Sequence, residues 1–238
     1  LRGALDAALT ARELQVVVDL ADVPSASSEG LESLLGAQEA LARAGGALRV
    51  ANANAVLRDV FRLTGLADRI AYAESESATL AAASAAPGRA RRIGEILIER
   101  GFSDEATIER ALALQAKSGR RMAQIMVEEG WLAERNLLEA LSEQLSVAFV
   151  RLRQGVYDPR AVRLIDAAIA RRLGVLCLFR IRDVVYLATA DPQSLPAIDT
   201  VEDLSGCRVR PVLACSEEIV KSIEEAYGEA RDLSDYVG

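Results

Sequence analysis

The chain has 238 residues and a formal net charge of −7; 51% of its residues are hydrophobic and 26% charged. That is a globular balance, long enough for one to three cores, and the acidic charge excludes a general nucleic-acid-binding surface. The sequence has no histidine, which removes Ser–His and Cys–His catalysis and most transition-metal sites. It also has no apolar run of about 18 residues that would span a membrane, and no signal-peptide pattern. Cys177, Cys207 and Cys215 show no C-x-x-C spacing, so they read as buried, reduced thiols of a cytoplasmic protein. No Gly-x(4)-Gly-Lys-Ser/Thr stretch occurs, so a phosphate-binding loop and an enzyme are not expected. Leu1 in place of Met reads as a fragment or a processed chain.

Residues 1–72 predict an α/β unit. Residues 1–14 read as a helix, and 15–20 (QVVVDL) as a largely buried strand. A serine-containing loop leads into a helix over 31–44, with Leu31, Leu34, Leu35, Leu41 and Ala42 on one face and Gln38 interrupting it. Gly45 and Gly46 end that helix, residues 47–51 form a second strand, and 56–63 a second helix closed by Gly65. The βαβα order implies parallel pairing. The segments VVVDLADV, SSEGL, GGALRVANAN and VFRLTGLADRI resemble the C-terminal two-thirds of a STAS domain, the anti-sigma-factor-antagonist fold. The resemblance implies an incomplete unit, short of two strands, with an exposed sheet edge. It also implies a phosphorylation position at Ser28, with Ser27 where such domains carry Asp and Glu29 where they carry a second Ser. A phosphate suits a helix N-terminus, although Glu29 would repel it. The alternative is that Ser27 or Ser28 simply caps the helix.

Residues 73–90 (AESESATLAAASAAPGRA) are low in complexity and predict a linker, with its boundary at Pro87-Gly88. Residues 91–152 then write one pattern twice. Arg92-Ile93-Gly94, Ile96-Leu97, Gly101, Ile108, Ala111-Leu112 and Gln115 match Arg121-Met122-Ala123, Ile125-Met126, Gly130, Leu137, Ala140-Leu141 and Gln144, each pair 29 positions apart (92 and 121, 115 and 144). Each copy reads as a short helix, a glycine break and a longer helix. Ser103 is the predicted N-cap of the first long helix, with Asp104 and Glu105 in its first turn. Five residues, 116–120, join the copies.

Two features exceed what a helical bundle needs. Arg92 and Arg121 open the copies, each two positions before a small residue, Gly94 or Ala123, that lets a ligand near the backbone. Gln115 and Gln144 recur on the inward stripe. Two such halves suit a two-fold symmetric ligand with anionic phosphates and flat purines, since Arg pairs bidentately with phosphate or a guanine edge. The alternative is a bare pair of hairpins with solvated arginines. The doubled pattern resembles the MshEN domain, the cyclic-di-GMP-binding N-terminal domain of type II secretion and type IV pilus ATPases. Met122-Ala123 departs from it where the family has Leu-Gly. The resemblance implies cyclic di-GMP as ligand, no metal, and a site of Arg92, Ile93, Gly94, Leu97, Ile108, Leu112 and Gln115 from one copy. Arg121, Met122, Ala123, Met126, Leu137, Leu141 and Gln144 complete it from the other.

Residues 153–228 predict a small α/β cap. It comprises a helix over 159–173, a hairpin of 175–181 and 184–190 turning at Arg182-Asp183, and a break at Asp191-Pro192. A helix over 195–204, a strand over 208–214 and a final helix over 217–227 capped by Ser216 follow, with a tail at 229–238. This order resembles the rest of the secretion-ATPase N-terminal domain, which implies contact with secretion or pilus machinery. Asp191 reads as a turn residue. The expected fold class is α/β and α+β multidomain. The expected function is a cytoplasmic regulator coupling a cyclic-di-GMP module to a STAS protein-interaction module, with protein partners, no nucleic acid and no membrane insertion. The alternatives are a ligand-free adaptor and a phospho-regulated antagonist acting through Ser28.

Overall fold

The computed structural model describes residues 3–5, 7, 11, 13–73 and 91–234, with side chains to residue 228. The molecule is an α/β and α+β multidomain protein with two small sheets. Strands β1 (Gln15–Asp19) and β2 (Ala47–Ala51) pair in parallel on either side of helix α1 (Ser28–Arg43). Helix α2 (Ala55–Thr64) follows, and a two-residue strand β3 (Ala71–Tyr72), absent from the sequence reading, extends the sheet in parallel in the order β1-β2-β3. Residues 3–5 and 7 are helical; most of the predicted helix over 1–14 and the linker from residue 74 to 90 lie outside the described residues.

Ser27 starts α1 by accepting the Gly30 N–H at 3.2 Å. The stripe Leu31, Leu34, Leu35, Ala37 and Leu41 is buried, whereas Ala42, expected on it, is exposed. Gln38 does not interrupt the packing; its Oε1 accepts the Leu48 N–H at 2.8 Å and ties α1 to β2. Gly46 is required by a close approach, since a Cβ there would lie 2.2 Å from the Leu14 carbonyl oxygen. The largely buried strand expected over 15–20 is instead the sheet's edge. Val17 is 58% exposed, on the same sheet face as its exposed register partner Arg49, a face left uncovered among the described residues.

The repeat forms helices α3 (Ile93–Glu99), α4 (Glu105–Ser118), α5 (Met122–Glu128) and α6 (Glu134–Leu145). Helix α4 runs to Ser118, so the join is shorter than the predicted 116–120. After it come α7 (Pro159–Val162) and α8 (Ala167–Leu173), where one helix over 159–173 was expected. Tyr227 explains the break, its hydroxyl lying 2.7 and 2.8 Å from the Val162 and Ile165 carbonyl oxygens. Strands β4 (Val175–Ile181) and β5 (Val184–Thr189) form the expected hairpin, with Arg182 at φ 56 in the turn. Helix α9 (Leu195–Ser205) leads to β6 (Arg208–Leu213), parallel to β5. The last helix, α10 (Ser216–Ser234), outruns the predicted 217–227 because the apolar face that carries Ile219, Ile223 and Ala226 into the core is followed by further helix-forming residues.

The first and last α/β units share one core, in which Leu57, Phe61 and Leu66 belong to the same cluster as Phe179, Tyr186 and Leu187. Each such large side chain contributes about 1.5–3 kcal/mol on burial. Polar contacts fix the docking. Tyr186 donates to the Thr64 carbonyl at 2.9 Å, and Ser28 N–H donates to the buried Asp158 carboxylate at 2.8 Å. Arg180 N–H donates to Ser28 Oγ at 3.0 Å, so α1 covers the edge of β4. Arg153 pairs with Asp59 at 2.6 Å and Arg182 with Glu39 at 2.5 Å. The repeat keeps its own core of Ile96, Leu97, Ile108, Ala111, Met122, Met126, Leu132 and Ala140. Leu138 on α6 joins it to Leu213 and Cys215 of the cap. Among the described residues no helix is long and apolar enough to cross a membrane.

Candidate functional site

The two copies interlock: α3 of the first lies against α6 of the second, and α4 against α5. Matching ion pairs brace the short helices, Arg91 with Glu99 at 2.6 Å and, 29 positions on, Arg120 with Glu128. Gly101 and Gly130 end those helices at φ 69 and 71, a left-handed turn that suits glycine. The N-cap of α4 is Asp104, not Ser103 as predicted; its carboxylate accepts the Thr107 N–H at 2.7 Å. That hydrogen bond holds the Asp104 carboxyl below its ordinary value of 3.8.

Between the copies lies a cavity of about 600 Å³. The first copy lines it with Arg92, Ile93, Gly94, Ile108, Leu112 and Gln115, the second with Arg121, Met122, Ala123, Leu141 and Gln144. Leu112 is 47% exposed because it faces this space rather than the core. A Cβ on Gly94 would sit 3.4 Å from Ile108 Cγ2, so the glycine keeps the cavity wall low without being demanded by packing. Three expected site residues are elsewhere. Leu97 and Met126 are fully buried in the helical core beneath the cavity. Leu137 lines a second cavity instead.

Sequence reasoning missed the carboxylates. Glu95, Glu105 and Glu109 also line the cavity, on the solvent-leaning sides of their helices. Glu95 accepts the Arg92 N–H at 3.1 Å. Its position three residues after Arg92, at a helix start, was a legible capping signal. Gln144 donates to the Arg91 carbonyl at 2.9 Å, which anchors the chain entering the first copy. Gln193, from the cap, lines the cavity as well, and no periodicity within the repeat could have pointed to it.

The second cavity, of about 380 Å³, adjoins the first through Arg121, Ala123, Leu141 and Gln193. Its lining repeats that of the first. Arg121, Ala123, Val127, Leu137 and Leu141 stand 29 positions after Arg92, Gly94, Ile98, Ile108 and Leu112. It is walled on one side by residues 190–193 of the cap, and Arg121 lies 3.9 Å from Asp191. Ser28 lies in neither cavity; it faces a cleft of about 330 Å³ between α1 and the cap, with Arg160, Arg180, Arg182 and Asp158.

Residues 145–233 match the family model described as MshEN domain, and residues 1–72 the one described as Mlab, STAS domain. A solved structure of MshE with cdg is 32% identical, covers 58% of this chain and 99% of its own, and superposes with a TM-score of 0.50. A structure of the N-terminal domain of XpsE is 26% identical over 56% of this chain and 92% of its own, with a TM-score of 0.46. The type IV pilus assembly ATPase PilB of Myxococcus xanthus (strain DK1622) is 28% identical over 148 residues, 62% of this chain. The chain spans 26% of that relative's length. The protein is thus a member of the MshEN family, with a STAS-type unit ahead of its MshEN region.

Proposed function

We propose that this protein is a cytoplasmic regulator that binds cyclic di-GMP between the two copies of its helical repeat. The observation that carries this reading is the cavity of about 600 Å³ lined by paired Arg92 and Arg121, Gln115 and Gln144. The arginines answer phosphate charge. Ile93, Ile108, Leu112 and Leu141 offer apolar cover to purine faces, and the rim glutamates accept N–H donors of a guanine edge. Likeness to MshE, whose structure is described with cdg, supports the ligand. Likeness to a protein named a pilus assembly ATPase supports a partner in pilus or secretion machinery. The STAS-type unit and the cap, joined in one core, offer the surface that meets that partner. The site residues on this reading are those lining the cavity, with Leu97 and Met126 as its support.

Titration calorimetry of the 238-residue chain with cyclic di-GMP tests the reading. Saturable heat is expected, weakened about tenfold or more by Arg92→Ala through loss of a charge-assisted pair. Gln115→Ala is expected to cost less, as a neutral hydrogen bond. No heat at high micromolar ligand refutes it.

A further inference from the structure

The two copies of the repeat present different chemistry to a bound base. Glu105 and Glu109 stand one turn apart on α4 and line the cavity of about 600 Å³ beside Ile108 and Leu112. Both are exposed, and neither makes a hydrogen bond or ion pair with another described residue. A third carboxylate in that lining, Glu95, already accepts the Arg92 N–H. In the second copy, 29 positions on, the counterparts of Glu105 and Glu109 are Glu134 and Leu138. Glu134 is engaged elsewhere: its carboxylate accepts the Ser216 N–H at 3.2 Å and the Ser216 hydroxyl at 2.5 Å, at the start of α10. Leu138 is 2% exposed and packs with Leu213 and Cys215. The first copy therefore offers uncommitted carboxylates to the cavity, and the second offers none at the matching positions.

An ionised carboxylate only accepts hydrogen bonds. The pairing edge of guanine presents two adjacent donors, the ring N–H and the amino group, which match its two oxygens. Adenine presents a ring-nitrogen lone pair at that edge, which a carboxylate repels. Carboxylates near a phosphate-bearing ligand carry an electrostatic cost, and pairing with a donor edge offsets it. We propose that the first copy selects guanine through Glu105 and Glu109, while the second copy accepts guanine or adenine. This rests on the cyclic-di-GMP reading and deepens it: the ligand class extends to a hybrid cyclic dinucleotide with one guanine and one adenine. The hybrid seats its guanine against α4 and its adenine against the second copy, where Leu141 covers a base face without reading its edge. Glu109, flanked in the lining by Ile108 and Leu112, carries the larger share. Glu105 also answers the dipole at the start of α4.

Titration calorimetry of the full chain compares cyclic di-GMP, cyclic GMP–AMP and cyclic di-AMP, in the parent and in Glu105→Gln and Glu109→Gln. Gln keeps the length of Glu and replaces one acceptor oxygen with a donor. In the parent, the hybrid is expected within about threefold of cyclic di-GMP, and cyclic di-AMP about tenfold or more weaker, the order by which a charged acceptor discriminates. Glu109→Gln is expected to narrow the gap between cyclic di-GMP and cyclic di-AMP to about threefold or less, and Glu105→Gln to narrow it by a smaller factor. The ratio is the decisive readout, because a carboxylate that only supports α4 would shift all three ligands alike. A hybrid that binds as weakly as cyclic di-AMP, equal affinity of the parent for all three, or a gap unchanged in both variants overturns this inference and leaves the ligand reading standing. No heat from the parent with any of the three overturns the ligand reading and this inference together.

Discussion

Asp158→Ala is the sharpest test of how the first and last α/β units are joined. Asp158 is 4% exposed, and its two carboxylate oxygens are both used. One accepts the Arg160 N–H at 2.9 Å and caps α7; the other accepts the Ser28 N–H at 2.8 Å, across the interface with α1. Removing the cap costs about 1 kcal/mol. Leaving the Ser28 N–H part-buried without a partner costs about 1–3 kcal/mol. The sum is a loss of about 2–4 kcal/mol, read as a lower urea midpoint at unchanged slope in equilibrium unfolding. Asp158→Asn retains one acceptor oxygen and is expected to recover about half of that loss. A change of less than about 0.5 kcal/mol for the alanine variant would refute the reasoning, because neither bond could then be holding α1 against the cap.

Four further outcomes are expected. Ser28→Glu replaces the hydroxyl that accepts the Arg180 N–H at 3.0 Å with a longer side chain at the contact of α1 with β4, so limited proteolysis should cut more readily within 28–43 than in the parent, and unchanged cleavage counts against the docking. Gly94→Ala should leave thermal stability unchanged or raise it by up to about 1 kcal/mol, since the new Cβ meets Ile108 only at 3.4 Å, while cyclic di-GMP binding by calorimetry weakens. Burial, aided by neighbouring Cys207, pushes the Cys177 thiol up to about 12 from 9.0. Its protonated form is favoured by the fold, so stability is unaffected below pH 9.0 and falls as the unfolded thiol ionises above it; a thiol reagent at pH 8 should spare Cys177 until the chain unfolds. Asp104, held below 3.8 by Thr107, supports α4 above that value, and its contribution disappears as pH falls through the depressed one; Asp104→Ala should flatten that acid limb in circular dichroism.

The repeat was legible because it was written twice, and glycines at 101 and 130 marked its turns without ambiguity. The parallel pairing of β1 and β2 followed from a short crossover helix between two Val- and Ala-rich runs. Which residues face the cavity was harder. Helix α3 is two turns long and apolar at Ile93, Ile96, Leu97 and Ile98, so no periodicity separates core from cavity. The family resemblance brings Leu97 and Met126 into the expected site, and tertiary packing puts them underneath the cavity. The split between α7 and α8 depends on the hydroxyl of Tyr227, more than sixty residues away in sequence. The union of the two α/β units rests on contacts such as Ser28 with Arg180, separated by 152 positions, which local pattern does not encode.

The crossed pairing of α3 with α6 and of α4 with α5 has the arrangement of an isologous dimer, in which each unit presents the same two surfaces and receives the other's. Only the short join after Ser118 makes it one molecule rather than two. Either hairpin alone would leave its share of the joint core uncovered. A cavity formed in this way belongs to neither copy. Deleting one hairpin would remove the cavity along with half of the core, and a substitution in one copy would be felt in the packing of the other.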